Sequence, residues 1–205
     1  MLHPHTKLRT VDETIGVGVF ATRDLPRGTI TWVRDALDRI IEPDLLEKLH
    51  PHARAEVEKY TWLDGDGDLV LCWDLGRFMN HDCDANTLSP GFAFDIALRD
   101  IAAGEEITTD YGSLNLDEPF ACACASPRCR GTVGPGDFEA LAPGWDERLR
   151  GAFTRVGSVE QLLWGLIRDA DAVRAAIEDP ARVPSILRHR WTGTAQSVAR
   201  HRPNR

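Results

Sequence analysis

Arg77-Phe78-Met79-Asn80-His81-Asp82-Cys83-Asp84-Ala85-Asn86 gathers amide, imidazole, carboxylate and thiol side chains into one short stretch. Such a stretch has too few apolar residues to pack on its own, so hydrogen bonds must order it as a tight turn. Asn80 and His81 supply donors and acceptors enough to recognise an adenine or a carboxylate. A hydrogen-bonded turn and a ligand site are both consistent with this pair taken alone.

Downstream, Glu105-Glu106-Ile107-Thr108-Thr109-Asp110-Tyr111-Gly112 reads as a strand ending in a tyrosine. A hydroxyl at a strand end can orient a nucleophile or take part in proton transfer. Beyond it, Cys122-x-Cys124-x4-Cys129 places three thiols in a loop containing Pro127 and Gly131. A loop of that kind builds no core, and a tetrahedral Zn2+ with four ligands is a natural organiser. The fourth thiol is Cys72 or Cys83. Cys72 sits between Leu71 and Trp73 in an apolar strand and reads as a small buried hydrophobe, so the polar surroundings of Cys83 favour it as the ligand.

Upstream, Gly16-Val17-Gly18-Val19-Phe20-Ala21 matches a loosened dinucleotide fingerprint. That mechanism requires a helix to start at the second glycine. Pro26 and Gly28 follow too soon, and Val17, Val19 and Phe20 are strand formers. What remains is a backbone turn that either approaches a small ligand or is simply tight. The Asp64–Asp68 run lacks the glycine and glutamate of a calcium loop, with Leu69 and Leu75 in their places, and reads as a hairpin turn. The His-Pro-His stretches at 3–5 and 50–52 read as surface turns. Arg23-Asp24-Leu25-Pro26-Arg27-Gly28 is echoed by Arg99-Asp100-Ile101-Ala102-Ala103-Gly104.

The order of these blocks resembles a SET-domain protein lysine methyltransferase with a post-SET zinc segment. It runs through the glycine turn, R-F-x-N-H-x-C-x-x-N, R-D-I-x-x-G-E-E-I-T-x-D-Y and C-x-C-x4-C-R-G, over about residues 8–133. The resemblance implies a mainly β SET fold of several small sheets, with a pseudoknot where Asn80–Asn86 meets Thr108–Tyr111. It implies S-adenosylmethionine as methyl donor, held by Gly16, Val17, Gly18, Asn80, His81 and Tyr111, with Tyr111 catalytic. It implies one structural Zn2+ on Cys83, Cys122, Cys124 and Cys129. The substrate is a lysine-bearing protein, its lysine entering a narrow channel. Trp32 stands where the family commonly has tyrosine, and Thr109 where it has an aromatic channel residue. Thr109 leaves room for higher methylation states. The alternative is a SET-like module that binds cofactor or a basic peptide with little or no turnover.

The domain reading is therefore a SET domain at 8–116 with a helical insert at about 36–62, a post-SET segment at 117–133, and a helical extension with a basic tail at 134–205. Asp44 is expected to cap the insert. In the extension, a capping box at Ser158–Gln161 and apolar residues from Leu162 to Ile177 predict one helix over 159–178. Those helices could cover the substrate groove, cap the core or form a homodimer.

Composition sets the outer bounds. The 205 residues are 42% hydrophobic and 27% charged, the balance of a globular chain with a real core. An odd count of five cysteines excludes a complete disulfide set. No 18-residue apolar run predicts a membrane span, and the first ten residues lack the apolar stretch of a signal peptide. The arginine-rich usage hints at a GC-rich bacterial genome, hence a cytoplasmic protein, or a nuclear one in a eukaryote. The net charge of -8 argues against general nucleic-acid binding. Six arginines and no acid after Ala181 leave -14 on the preceding residues, which suits a basic partner.

Overall fold

The computed structural model describes residues 1–193. Arg200, Arg202 and Arg205 of the basic tail lie outside the described residues. Strands β1 (Thr6–Asp12) and β2 (Gly16–Ala21) form a hairpin. The Asp12 carboxylate accepts from the Thr14 and Ile15 backbone N–H groups, both at 2.7 Å, and Gly16 closes the turn at φ +84°. The glycine motif is thus a turn and a strand, without a helix.

Among the described residues, four short sheets make up the β part. The largest runs β1, β2, β10 (Glu106–Thr109), β7 (Asn80–His81). A second pairs β3 (Ile30–Val33), β9 (Phe94–Ala97) and β8 (Thr87–Leu88), and a third pairs β4 (Arg39–Ile40), β6 (Leu69–Leu71) and β5 (Thr61–Leu63). β11 (Phe120–Ala121) and β12 (Thr132–Val133) clasp the cysteine loop.

The expected crossing forms where β7 runs parallel to β10, with Asn80 opposite Thr108 and His81 opposite Thr109. Two residue pairs are too few to hold it, and Asn86 does the rest. Its buried amide donates to the Glu106 carbonyl at 2.7 Å and accepts from the Thr108 N–H at 2.9 Å. The R-D-aliphatic-x-x-G echo also finds a reason: the two copies pair with each other. Leu25 and Ile101 exchange both backbone hydrogen bonds, Asp100 accepts from Arg27 N–H, and Asp24 accepts from Ala103 N–H.

The Asp64–Asp68 run is the expected hairpin turn between β5 and β6. The Asp64 carboxylate takes the Asp66 and Asp68 N–H groups, and Gly67 adopts φ +87°. The insert is less helical than predicted. Helices α1 (Pro43–Lys48) and α2 (Pro51–Tyr60) are separated at Leu49–His50, and residues 39–40 are strand β4. Pro43 at the first helical position and Pro51 at the second helix's start set these boundaries. Glu42, not Asp44, stands at the cap of α1, and Asp44 lies inside the first turn.

The two His-Pro-His stretches share one local bond, the first histidine's Nδ1 accepting from the N–H two residues on, at 3.2 and 3.3 Å. His50 thereby caps α2 at the surface. His3 departs from the surface reading, being 3% exposed beneath β3.

The extension differs most from expectation. Its long helix is α3 (Asp137–Val156), which the sequence reading did not single out. The expected helix over 159–178 is broken into a 3-10 turn at Trp164–Leu166 and α4 (Ala170–Glu178). Both halves of the capping box serve other partners. Ser158 Oγ donates back to the Arg155 carbonyl at the end of α3. Gln161 ties the extension to β3, accepting from Ile30 N–H and donating to the Gly28 and Val156 carbonyls, all at 2.9 Å. A side chain with two long-range hydrogen bonds and one local one outweighs the weak preference for a cap.

Helix α3 buries Phe138, Ala142, Trp145, Leu149, Ala152, Phe153 and Val156 against β9 and β3. The extension therefore supplies most of the larger core rather than being an appendage. Truncating Phe153 to alanine there costs about 3–5 kcal/mol. Arg190 folds back to Glu139 at 2.6 Å, so the described part of the basic tail rests on the acidic body. Among the described residues, no helix is long and apolar enough to cross a membrane.

Candidate functional site

The site lies where the crossing brings β2, β7 and β10 together. Asn80 donates through Nδ2 to the Val17 carbonyl at 3.1 Å and to Glu106 Oε1 at 2.7 Å. A Cβ at Gly18 would stand 2.1 Å from Glu106 Oε1 and 2.8 Å from Asn80 Nδ2, so a side chain there would displace this pair. Gly16 and Val17 lead into it as a partly exposed shelf. Burial pushes the Glu106 carboxyl up, against the pull of the Asn80 hydrogen bond.

Tyr111 follows β10 in a 3-10 turn capped by the Asp110 side chain. Its hydroxyl donates to the Met79 carbonyl at 2.8 Å. Burial, with the nearby Glu106 charge, pushes the phenol up to about 12, so it stays protonated at neutral pH. The ring meets those of His81 and Phe120. Tyr111, Thr109 and Trp32 line one cavity of about 450 Å3, and the Trp32 and Trp62 rings meet edge-on at 6.3 Å in its wall. The extension supplies part of that wall through Ile186, Arg188 and His189.

Cys83, Cys122 and Cys124 converge with His81, their ligand atoms all within 4.8 Å of one another. Cys129 is not in that group; its thiol donates to the Cys122 carbonyl at 3.7 Å and its sulfur accepts from Gly131 N–H at 3.4 Å. His81 and Cys129 are the two candidates for the fourth place. Nδ1 accepts from the Tyr111 N–H at 3.1 Å, so a neutral ring carries its proton on Nε2, which stands 3.3 Å from Cys83 Sγ. A protonated nitrogen has no lone pair for a metal, whereas it can donate to a thiolate. Arg130 N–H adds a second donor to the same sulfur at 3.4 Å. Burial pushes the Cys83 and Cys122 thiols up, and a divalent cation among four sulfurs reverses that cost by holding them as thiolates. This donor set fits Zn2+. Cys72 is away from it, 6% exposed, with its thiol pushed up to about 12 by burial.

The predicted residues thus separate into three groups meeting at His81–Tyr111: the glycine shelf with Asn80, the cavity with Trp32 and Thr109, and the cysteine cluster. Sequence reasoning passed over Glu106, the Asp110–Arg130 pair and Asp95. Arg130 grips the buried Asp110 with both nitrogens at 2.7 and 2.8 Å, tying the cysteine loop to the residue before Tyr111. Asp95 had a legible signal, a carboxylate inside the otherwise apolar strand Phe94–Ala97.

Residues 16–112 match the sequence profile of the SET domain family. The histone-lysine N-methyltransferase ATX2 of Arabidopsis thaliana is 29% identical over 137 residues, covering 60% of this chain and 12% of the relative. The histone-lysine N-methyltransferase trithorax of Drosophila melanogaster is 30% identical over 149 residues, 60% of this chain and 4% of the relative. The histone-lysine N-methyltransferase set1 of Dictyostelium discoideum is 40% identical over 73 residues, 32% of this chain and 5% of the relative. The chain spans 12% or less of the length of these relatives. The β7–β10 crossing, the half-buried tyrosine beside it and the matching profile agree: this chain carries a SET domain over residues 16–112.

Proposed function

We propose that this chain is an S-adenosylmethionine-dependent protein-lysine N-methyltransferase with one structural Zn2+. The observation that carries this is Tyr111, half-buried and protonated between the Asn80–Gly18 shelf and the Trp32–Thr109 cavity. When bound, S-adenosylmethionine supplies an electrophilic methyl group on a sulfonium.

Gly16, Val17, Gly18, Asn80 and His81 would hold the cofactor. The Glu106 carboxylate, beside the shelf, suits the cofactor's ammonium group. The cavity would take the substrate lysine, and desolvation on entry favours the neutral, nucleophilic form of the amine. The Tyr111 hydroxyl, fixed by Met79, leaves oxygen lone pairs to orient that amine. Fixing an amine at an attack geometry is a proximity effect worth several kcal/mol, on the order of 7 or more in the best cases. Thr109 leaves space around the nitrogen, which supports di- and trimethylation.

Cys83, Cys122, Cys124 and Cys129 would bind Zn2+ and pin the β11–β12 loop beside Tyr111, the post-SET role. The substrate would be a basic protein, in keeping with the acidic body, met in the cytoplasm or, in a eukaryote, the nucleus, and direct nucleic-acid binding is not expected. A homodimer through the extension would have to use Leu162, Leu166 and Leu187, because α3 and the buried face of α4 pack within the chain.

The test is transfer of labelled methyl from S-adenosylmethionine to lysine-rich proteins, compared with Tyr111→Phe. Transfer abolished by the substitution supports the enzyme. Cofactor binding without transfer by the unaltered chain supports the non-catalytic module. Product mass separates the methylation states, and strictly monomethyl lysine would refute the reading of Thr109.

A further inference from the structure

Strand β9 carries one carboxylate among apolar neighbours. Asp95 is 9% exposed, lines the cavity that also holds Tyr111, Thr109 and Trp32, and lies opposite Trp32 in the β3–β9 pairing. Residues opposite one another in an antiparallel pair present their side chains on the same face. Asp95 and the Trp32 ring therefore share one wall.

The carboxylate is poorly provided for. Among the described residues its hydrogen-bond partner is the Ser89 hydroxyl, which donates to Oδ1. Of the five Lys and Arg side chains lining the cavity, which include Arg188, four are engaged elsewhere. Arg34 pairs with Asp64 at 2.5 Å, Arg77 donates to the Trp73 carbonyl, Arg168 to the Asp35 carbonyl, and the Lys59 ammonium sits over the Tyr60 ring. Burial accordingly pushes the Asp95 carboxyl up to about 6, against the weaker pull of Ser89 and the N-terminal ammonium. A buried carboxylate without a cation is costly, and folds keep such groups where something charged is to arrive.

The surroundings specify what arrives. A carboxylate beside Trp32, in a cavity that Trp62 also lines, offers a cation both a counter-charge and aromatic surface, the two attractions that recognise an alkylammonium. An anion would meet the carboxylate head-on, and an uncharged chain would leave it unpaired.

We propose that Asp95, with Ser89 and the Trp32 ring, forms an ammonium-binding subsite that receives the cationic side chain of the substrate lysine. Asp95 is here a binding and specificity residue: it selects a charged amine on entry to the cavity. This deepens the reading of the chain as a lysine methyltransferase, but its test needs neither cofactor nor turnover.

The probe is n-butylammonium, the lysine side chain alone, compared with its uncharged isostere n-butanol by ligand-observed NMR titration on the full chain. The unaltered protein is expected to bind the ammonium at least tenfold more tightly than the alcohol. In Asp95→Asn the two affinities should fall within about twofold of each other. Absence of ammonium preference in the unaltered protein, or its persistence in Asp95→Asn, overturns the proposal. Because the methyl-transfer assay reads Tyr111 and the NMR titration reads Asp95, failure of one is distinguishable from failure of the other.

Discussion

Replacing Asn86 with alanine should unlatch the crossing on which the site depends. The side chain is 2% exposed, and its amide bridges the two crossing segments through the Glu106 carbonyl at 2.7 Å and the Thr108 N–H at 2.9 Å. Alanine satisfies neither group, and water has poor access to them. Each stranded backbone group costs about 1–3 kcal/mol, so the expected loss is about 2–6 kcal/mol. For a chain of this size, a mid-range loss of about 4 kcal/mol lowers the melting temperature by roughly 8–16 °C. Urea unfolding at fixed zinc should show the midpoint falling with unchanged slope, because the surface exposed on unfolding is the same. Asn86→Asp should be no rescue. It keeps an acceptor for Thr108 N–H but loses the donor to Glu106 and sets a second carboxylate beside Glu105, whose Oε1 is 3.3 Å from the native amide nitrogen. A loss below about 1 kcal/mol for Asn86→Ala would refute the claim that this amide, rather than the short β7–β10 pairing, holds the crossing.

Gly18→Ala places a methyl group 2.1 Å from Glu106 Oε1, so calorimetric affinity for S-adenosylhomocysteine should fall at least tenfold with the fold retained; an unchanged affinity contradicts the shelf as its site. Metal analysis should give one zinc per chain, lost in Cys129→Ser but kept in His81→Gln, since the Nε2 proton makes His81 a donor to Cys83 rather than a ligand; loss of zinc in His81→Gln would reverse that assignment. Burial, with His5 nearby, pushes His3 down to about 4, so the fold refuses a proton that the unfolded chain accepts near 6.5. Its contribution is therefore present above pH 6.5 and lost as pH falls toward 4, by up to ~3 kcal/mol. Comparison with His3→Gln isolates this slope from the opposing one of Asp95, and parallel pH profiles would disprove it.

Much of the site is local chemistry and so was readable in the chain. Asn80-His81, the Thr109–Tyr111 strand end and the three loop cysteines each announce themselves by polar or thiol residues where apolar ones would pack better. Cys83 could be chosen over Cys72 on surroundings alone, and the structure buries Cys72 in an apolar core while turning Cys83 to the other sulfurs. The glycine motif was read correctly against a helix because β-branched residues and Pro26 forbid one.

What the chain could not reveal are matters of partnership across distance. The periodic run after Ser158 promised a helix, yet Gln161 is held by β3, 131 residues away in sequence, and that contact breaks the run. Helix α3 holds Pro143 and Gly144, poor helix formers, and is sustained by the apolar face it buries in the main core. The echo of Arg23–Gly28 in Arg99–Gly104 was visible, but that the two copies pair was not. By itself the sequence determined which residues carry chemistry, since residue type and spacing fix donors, thiols and turn geometry. Only the tertiary structure decided which of them meet, because a crossing held by one buried amide, and a cavity walled by an extension remote in the chain, arise from long-range contacts that no local pattern encodes.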